Sequence, residues 1–403
     1  MLKVIIIIFP LLFFIILNSW EDSITFQILD YNITFIEICF ILMYLIFIIK
    51  NDFKIYAKNG IKVLFLINFL VVFFLSRILI SVFQETDISI RSLFSLIEVY
   101  IPILVLLSIR FDKRTKDLVS WLITIFLILL DIEVIIYSLG IITYTGIYGE
   151  FFIEKSLLAR IHTTIGAATS TGYMLFFLFL IVFLLPKTKL KILSLFLTVI
   201  AIFSTLSRGP IILVCIFSIL YFFKDIKSNF CHNRFRGLFN SFILILLLFI
   251  LLFNLGIPGY ISSRFSHSGR AHVSNLERVE RFNKAVKNFK YSKNYLFGTG
   301  YGSFLPRFRR YKQIDAQHIL SYNPHNSFLV LLNEVGLLGI FFILIITFIV
   351  IKELYRKNDK VFVTIFLFSI LCFLMFETIV FSFRYIYPVV LLLGIQLNSD
   401  QES

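Results

Sequence analysis

"YNPHNSFLVLLNEVGLLG", Tyr322 to Gly339, opens with Tyr322, Asn323, Pro324, His325 and Asn326 and then turns apolar, continuing as "IFFILIITFIVI" to Ile351. A helix rises 1.5 Å per residue and needs about 20 apolar residues to cross the hydrocarbon core of a bilayer. This run is long enough, so it reads as a membrane helix with a His–Asn pair at its mouth. Pro324 suits the start of a helix, where its missing N–H would have no intrahelical partner anyway.

The rest of the chain is of the same kind. Its 403 residues are 59% hydrophobic and 15% charged, with a mean hydropathy of +0.92. A soluble globular chain carries about 25% charged residues, so this chain belongs to the membrane class and its first partner is the lipid bilayer. Its 50 phenylalanines read as lipid-facing surface. Cys39, Cys215, Cys231 and Cys372 form no C-x-x-C pair, which argues against a disulfide framework or a metal site.

Candidate spans begin at Leu2, Ile33, Val63, Ile90, Leu118, Thr164, Leu190, Ile211, Ser241, Asn326, Val361 and Ser382. That predicts an all-α integral membrane protein of about 12 transmembrane helices, a single polytopic domain over residues 1–403. No small-residue cleavage pattern follows the first run, so it reads as an uncleaved anchor. The short loops around Lys50–Lys62, Arg110–Lys116, Lys187–Lys191, Lys224–Arg236 and Lys352–Lys360 are basic, whereas "NSWEDSITFQILD" and "FQETDIS" are acidic. Short basic loops stay cytoplasmic. Both termini are then expected inside, in an inner membrane.

One region breaks the pattern. Residues 254–324 form a long polar loop that parity puts outside, yet it is strongly basic. Long loops translocate largely regardless of charge. The cations could lie against anionic headgroups, or could bind a phosphate-bearing, membrane-held substrate, because guanidinium forks match phosphate oxygens. Within the loop, "SNLERVERFNKAVKNF" starts with a Ser274–Glu277 capping-box pattern. Leu276, Val279, Phe282, Val286 and Phe289 recur at helical spacing, with Arg278, Arg281, Lys284 and Lys287 beside them. The expectation is an amphipathic helix at the membrane surface. "LFGTGYGSF", Leu296 to Phe304, reads as a backbone turn; it matches neither the P-loop nor the dinucleotide fingerprint.

Two further polar points interrupt apolar runs. "FSTLSRGPIIL" places Arg208 between two spans at the outer side. An arginine at that depth is costly unless it faces protein or water, which makes it a functional candidate; snorkelling at a tight turn is the plain alternative. "LLARIHTTIGAATSTGY" places Arg160 and His162 before small residues, and small residues permit close helix packing. His325 shares the outer side by parity. It can serve as a base near neutral pH or simply be an interfacial histidine bonded to Asn326 or a loop carbonyl. Glu334, nine residues on, lies half a turn round from it and is a poor partner.

Four segments in order resemble the O-antigen ligase and O-antigen polymerase superfamily: "SRG" at Ser207–Gly209, "ERVERFNKAVKNF" at Glu277–Phe289, "LFGTGYGSF" at Leu296–Phe304, and "PHNSFLVLLNEVGLLG" at Pro324–Gly339. The resemblance implies a GT-C-like helical fold and glycosyl transfer on the outer face of the membrane, with no cofactor or metal. The implied donor is a glycan on undecaprenyl diphosphate. The implied acceptor is lipid A-core in ligases and a lipid-linked repeat unit in polymerases, with a flippase and a chain-length regulator as candidate partners and no nucleic acid. Carried over, the family's base falls on His325 and its arginines on Arg208 and Arg278. Arg281, Arg160 and Asn326 join them as candidate diphosphate- or glycan-binding residues. Glu277 stands where the family often has Gly, and Arg281 lies close by, so either loop arginine can be the one used.

A fixed guanidinium stabilises charge developing on a diphosphate leaving group. A neutral histidine takes the proton of an attacking hydroxyl. Single displacement would invert the anomeric centre. The competing class is a transporter or flippase of lipid-linked oligosaccharide, which would use the same cations without a base. Transporters often carry internal repeats and polar breaks at mid-bilayer, whereas here no repeat is evident and the polar residues gather at one face. A structural scaffold would leave that gathering unexplained.

Overall fold

The computed structural model describes residues 25–28, 31–34, 111–139, 162–163, 166–186, 189–229, 270–290, 295–298, 326–357, 359–376 and 383–398, and scattered positions before residue 111. The elements are β1 (Thr25–Ile28), β2 (Tyr31–Thr34), α1 (Lys113–Ser138), β3 (His162–Thr163), β4 (Gly166–Ala167), α2 (Ala168–Leu184), α3 (Lys191–Ser204), α4 (Arg208–Asn229), α5 (Arg270–Lys290), α6 (Ser327–Lys357), α7 (Lys360–Phe376) and α8 (Phe383–Asn398). The described fold is helical apart from two small antiparallel ribbons.

Helices stand where spans are expected from Leu118, Leu190, Ile211, Asn326, Val361 and Ser382, whereas the helix expected from Thr164 begins at Ala168, after β3 pairs with β4. Two of them, Lys113–Ser138 and Ser327–Arg356, are long and apolar enough to cross a membrane, and the other apolar helices are shorter. The expected start at Ile33 is displaced. β2 occupies Tyr31–Thr34 and pairs with β1, since Thr and Ile favour strands across a two-residue turn; helical residues follow at Leu42 and Tyr44. The spans from Leu2, Val63, Ile90 and Ser241 lie largely outside the described residues, so the count of about 12 remains an expectation.

The bundle is organised around α2. From Tyr173 to Val182 every residue of that helix is buried, as expected of a helix apolar on all sides. Pairs of α2 with α4 advance together along both helices: Gly172 with Pro210, Phe179 with Phe217, Phe183 with Tyr221. Those two helices therefore run parallel, with α3 returning between them. Pairs with α7 run the other way, Tyr173 with Phe373 and Phe177 with Phe366, so α7 is antiparallel to α2.

This ordering sorts the charges. Lys189 and Lys191, between α2 and α3, share one end of the bundle with Lys352, Arg356 and Lys360 around the α6–α7 connection. The Ser120 hydroxyl of α1 donates to the Pro186 carbonyl (3.0 Å), which brings Lys113, Arg114 and Lys116 to that end too. One of these residues also finishes a helix. Lys191 Nζ donates to the carbonyls of Phe183 (2.9 Å) and Leu185 (2.6 Å) at the end of α2, satisfying acceptors a helix terminus leaves open. Asp112 caps α1 through the Thr115 N–H (2.8 Å). Between α1 and α3 the buried Thr198 hydroxyl lies 2.7 Å from Asp131, the kind of polar link that joins helices within a bilayer. Outward-facing Leu337, Phe341, Leu344 and Phe348 are all exposed on α6 and repeat at helical spacing, as a lipid-facing stripe should.

Candidate functional site

Arg208 is the first residue of α4, after a three-residue turn from α3. Leu206 takes a left-handed φ of 53°, which turns the chain sharply. Thr205 holds the turn: its hydroxyl donates to the Ile202 carbonyl (2.7 Å) and accepts the Ser207 N–H (3.2 Å). Pro210 falls in the first turn of α4, where no intrahelical N–H is needed. Arg208 itself is half-buried. Gly209 lies against the hydroxyl end of Tyr173, where a Cβ would run into the phenol; a Cβ on Gly172 would meet Pro210 Cγ at 2.8 Å. The small residues of "TSTGY" thus let α2 close on the Arg208 turn, the packing role expected of them.

Asn326 stands immediately before α6 and is buried. Its Oδ1 accepts the Leu329 N–H at 3.0 Å, the contact of an N-cap. Its Nδ2 lies 3.8 Å from the Met375 sulfur, in the last turn of α7. Binding of diphosphate or glycan by Asn326, a candidate from the sequence, would have to operate beside this capping role.

The basic loop helix rests on the first half of α6. Ala285 of α5 is buried against Leu329 and Val330, and its carbonyl accepts from Asn333 Nδ2 at 3.4 Å. Arg278, Arg281 and Phe289 are half-buried on the Ala285 face of the helix, while Leu276, Val279, Phe282 and Val286 are exposed. An exposed apolar stripe is what a surface-lying helix would offer to lipid. The helix starts at Arg270, so Ser274 lies inside it and its pattern with Glu277 does not mark the helix start. Arg270 and Ala271 are good helix formers and extend the helix ahead of Ser274. On the outward side Lys284 Nζ sits 2.7 Å from Glu280 Oε1. That hydrogen bond and charge hold the exposed Glu280 carboxyl below its ordinary value.

The glycine turn docks on α6 where that helix breaks. Gly336 has φ 68° and ψ −172°, and Gly298 has φ 70°. A Cβ on either glycine would strike the main chain on the opposing segment, so only glycine permits the approach. The N–H groups of Leu337 and Leu338, released by the break, donate to the carbonyls of Tyr295 and Leu296, both at 3.0 Å. Contacts therefore advance in the same order along both segments, Ala285 with Leu329–Asn333 and then Tyr295–Gly298 with Glu334–Leu338.

The last turn of α7 links two segments far apart in sequence: it meets Asn326 directly and the Arg208 turn by way of Tyr173. The Phe373 ring packs on Tyr173 at 5.1 Å between centroids, Tyr173 backs Gly209, and Met375 meets Asn326. This end of the bundle is opposite the basic end. His325 and Arg160 lie outside the described residues. Tyr173, Phe373, Met375 and the break at Gly336 were not legible in the sequence. Only the small residues preceding Tyr173 and the glycines of the two motifs hinted at close approach.

The sequence model of the family described as O-Antigen ligase matches residues 193–344. The matched segment begins in α3 and ends within α6, taking in the Arg208 turn, α5, the docked glycine turn and the helix break. A search of curated proteins finds no match.

Proposed function

We propose, from the match of residues 193–344 to the O-antigen ligase family model, that this protein is a membrane glycosyltransferase of polysaccharide assembly. It moves a glycan from undecaprenyl diphosphate to an acceptor glycan on the outer face of the inner membrane, as a polymerase of lipid-linked repeat units or as a ligase onto lipid A-core. The observation that supports this reading is that the last turn of α7 touches both Tyr173, which backs the Arg208 turn, and Asn326, which opens α6. Arg208 and Asn326 thus stand at the bundle end away from Lys113, Lys191 and Lys360. With short basic loops inside, that end faces outward, as does the 254–324 loop.

In this mechanism the guanidiniums of Arg208 and Arg278, with Arg281 and Arg160 as further candidates, hold the diphosphate. As the glycosidic bond to the diphosphate breaks, they stabilise the negative charge left on it. His325 accepts the proton of the acceptor hydroxyl as its oxygen attacks the anomeric carbon. Attack opposite the leaving group inverts that centre. The lipid tail stays between helices, which accounts for an enzyme made almost wholly of membrane-embedded segments.

The test supplies purified protein in liposomes with lipid-linked glycan, alone or with lipid A-core. A ladder of lengthened lipid-linked glycans identifies a polymerase, and glycan transfer to lipid A-core a ligase. Movement of intact lipid-linked glycan across the bilayer with no new glycosidic bond would refute the enzyme and identify a transporter.

A further inference from the structure

The O-antigen ligase match stops at residue 344 and starts at residue 193, yet the contacts that join its two ends lie outside it. Tyr173 belongs to α2, and Phe373 and Met375 to α7. Phe373 is buried as a knob between Tyr173 (5.1 Å) and Phe177 (5.8 Å), one turn apart on α2. Tyr173 in turn fills the space against Gly209 that any larger residue would need. Two residues after Phe373, the Met375 sulfur receives the amide of Asn326 (3.8 Å). The last turn of α7 thus touches, on one side, the ring that backs the Arg208 turn and, on the other, the residue that caps α6.

We propose that Phe373 and Met375 are positioning residues: the last turn of α7 is the spacer that sets the distance between the Arg208 turn and the helix start capped by Asn326. The proposal rests on the glycosyltransferase reading above. Neither side chain acts on substrate. A diphosphate held by Arg208 and an acceptor hydroxyl directed by the helix start must be aligned closely for displacement, and small misplacements of such groups are costly in rate. A stiff aromatic knob holds that spacing better than a flexible chain. Methionine is an adaptable filler and a weak acceptor, suited to following a capping amide.

The experiment compares turnover of lipid-linked glycan by purified wild type, Phe373→Ala, Arg208→Lys and the double variant, with Phe368→Ala on the exposed face of α7 as control. Phe373→Ala should lower kcat about tenfold with the KM for donor changed far less, and Phe373→Leu should recover most of the loss. Phe368→Ala should match wild type. In wild type Arg208→Lys should cost about tenfold, and in the Phe373→Ala background under about threefold, because residues acting as one unit are non-additive. Should Phe373→Ala fail to accumulate in the membrane, Phe373→Leu and Met375→Leu take its place in the same double-variant comparison. Losses that simply multiply, or full activity of Phe373→Ala, overturn the spacer while leaving the enzyme reading intact. An Arg208→Lys protein with wild-type turnover removes Arg208 from the diphosphate site and the spacer with it.

Discussion

Replacing Gly336 by alanine should unfasten the glycine turn from α6. The φ of 68° and ψ of −172° fall in a region that is essentially glycine-only, and holding another residue there costs about 1–3 kcal/mol. The new Cβ would also meet the Leu296 carbonyl and the Gly298 nitrogen. Relieving that overlap moves Tyr295–Gly298 away and breaks the two 3.0 Å bonds from the Leu337 and Leu338 N–H groups, each worth about 0.5–1.5 kcal/mol. Strain and lost bonds together come to about 2–6 kcal/mol. The change is local, so it should appear first as opening of the turn. Hydrogen exchange in nanodiscs reads it directly: protection at Leu337 and Leu338 should fall at least about thirtyfold, with α2 unaffected. Gly298→Ala attacks the same contact from the other side, so the double variant should cost less than the two singles combined. Unchanged exchange at both amides in Gly336→Ala would refute the docked turn.

Three further outcomes follow from the contacts described. Asn326→Ala should cost about 1 kcal/mol of stability through loss of the cap, read by thermal unfolding, and Asn326→Ser should restore most of it; equal melting of all three proteins would deny the cap. Lys284 lowers the Glu280 carboxyl, so this ion pair stabilises α5 above the ordinary glutamate range and is lost as pH falls through the lowered value. An NMR titration of Glu280 should move up in Lys284→Gln, and an unmoved titration would show that the pair does not form. Lys287→Cys, exposed on α5 and made in a background without the 4 native cysteines, should react with a membrane-impermeant thiol reagent in intact spheroplasts. Labelling only after lysis would place the loop and the site inside.

Much of the helical frame was readable because apolar length is a direct demand of the bilayer: α1, α6 and α7 stand on the runs that hydropathy marks. The loop helix was readable from the spacing of Leu276, Val279, Phe282 and Val286. Its start was not, because capping patterns also occur inside helices when good formers such as Ala271 precede them. The break at Gly336 was hidden for a related reason: a glycine in an apolar run is as compatible with close helix packing as with a kink, and only the partner carbonyls of Tyr295 and Leu296 decide between them. The role of Phe373 was hidden by abundance, since one phenylalanine among 50 carries no positional signal. Arg208 was legible as a candidate because charge is rare within these runs, and Asn326 because it stands at a polar mouth.

The most direct test of the central claim concerns the histidine beside that cap. Purified wild type and His325→Ala, in liposomes with lipid-linked glycan and acceptor, are compared for product and for donor binding. If His325 removes the acceptor proton, the variant should bind donor as wild type does and form no measurable product. Near-wild-type turnover by His325→Ala would contradict the account.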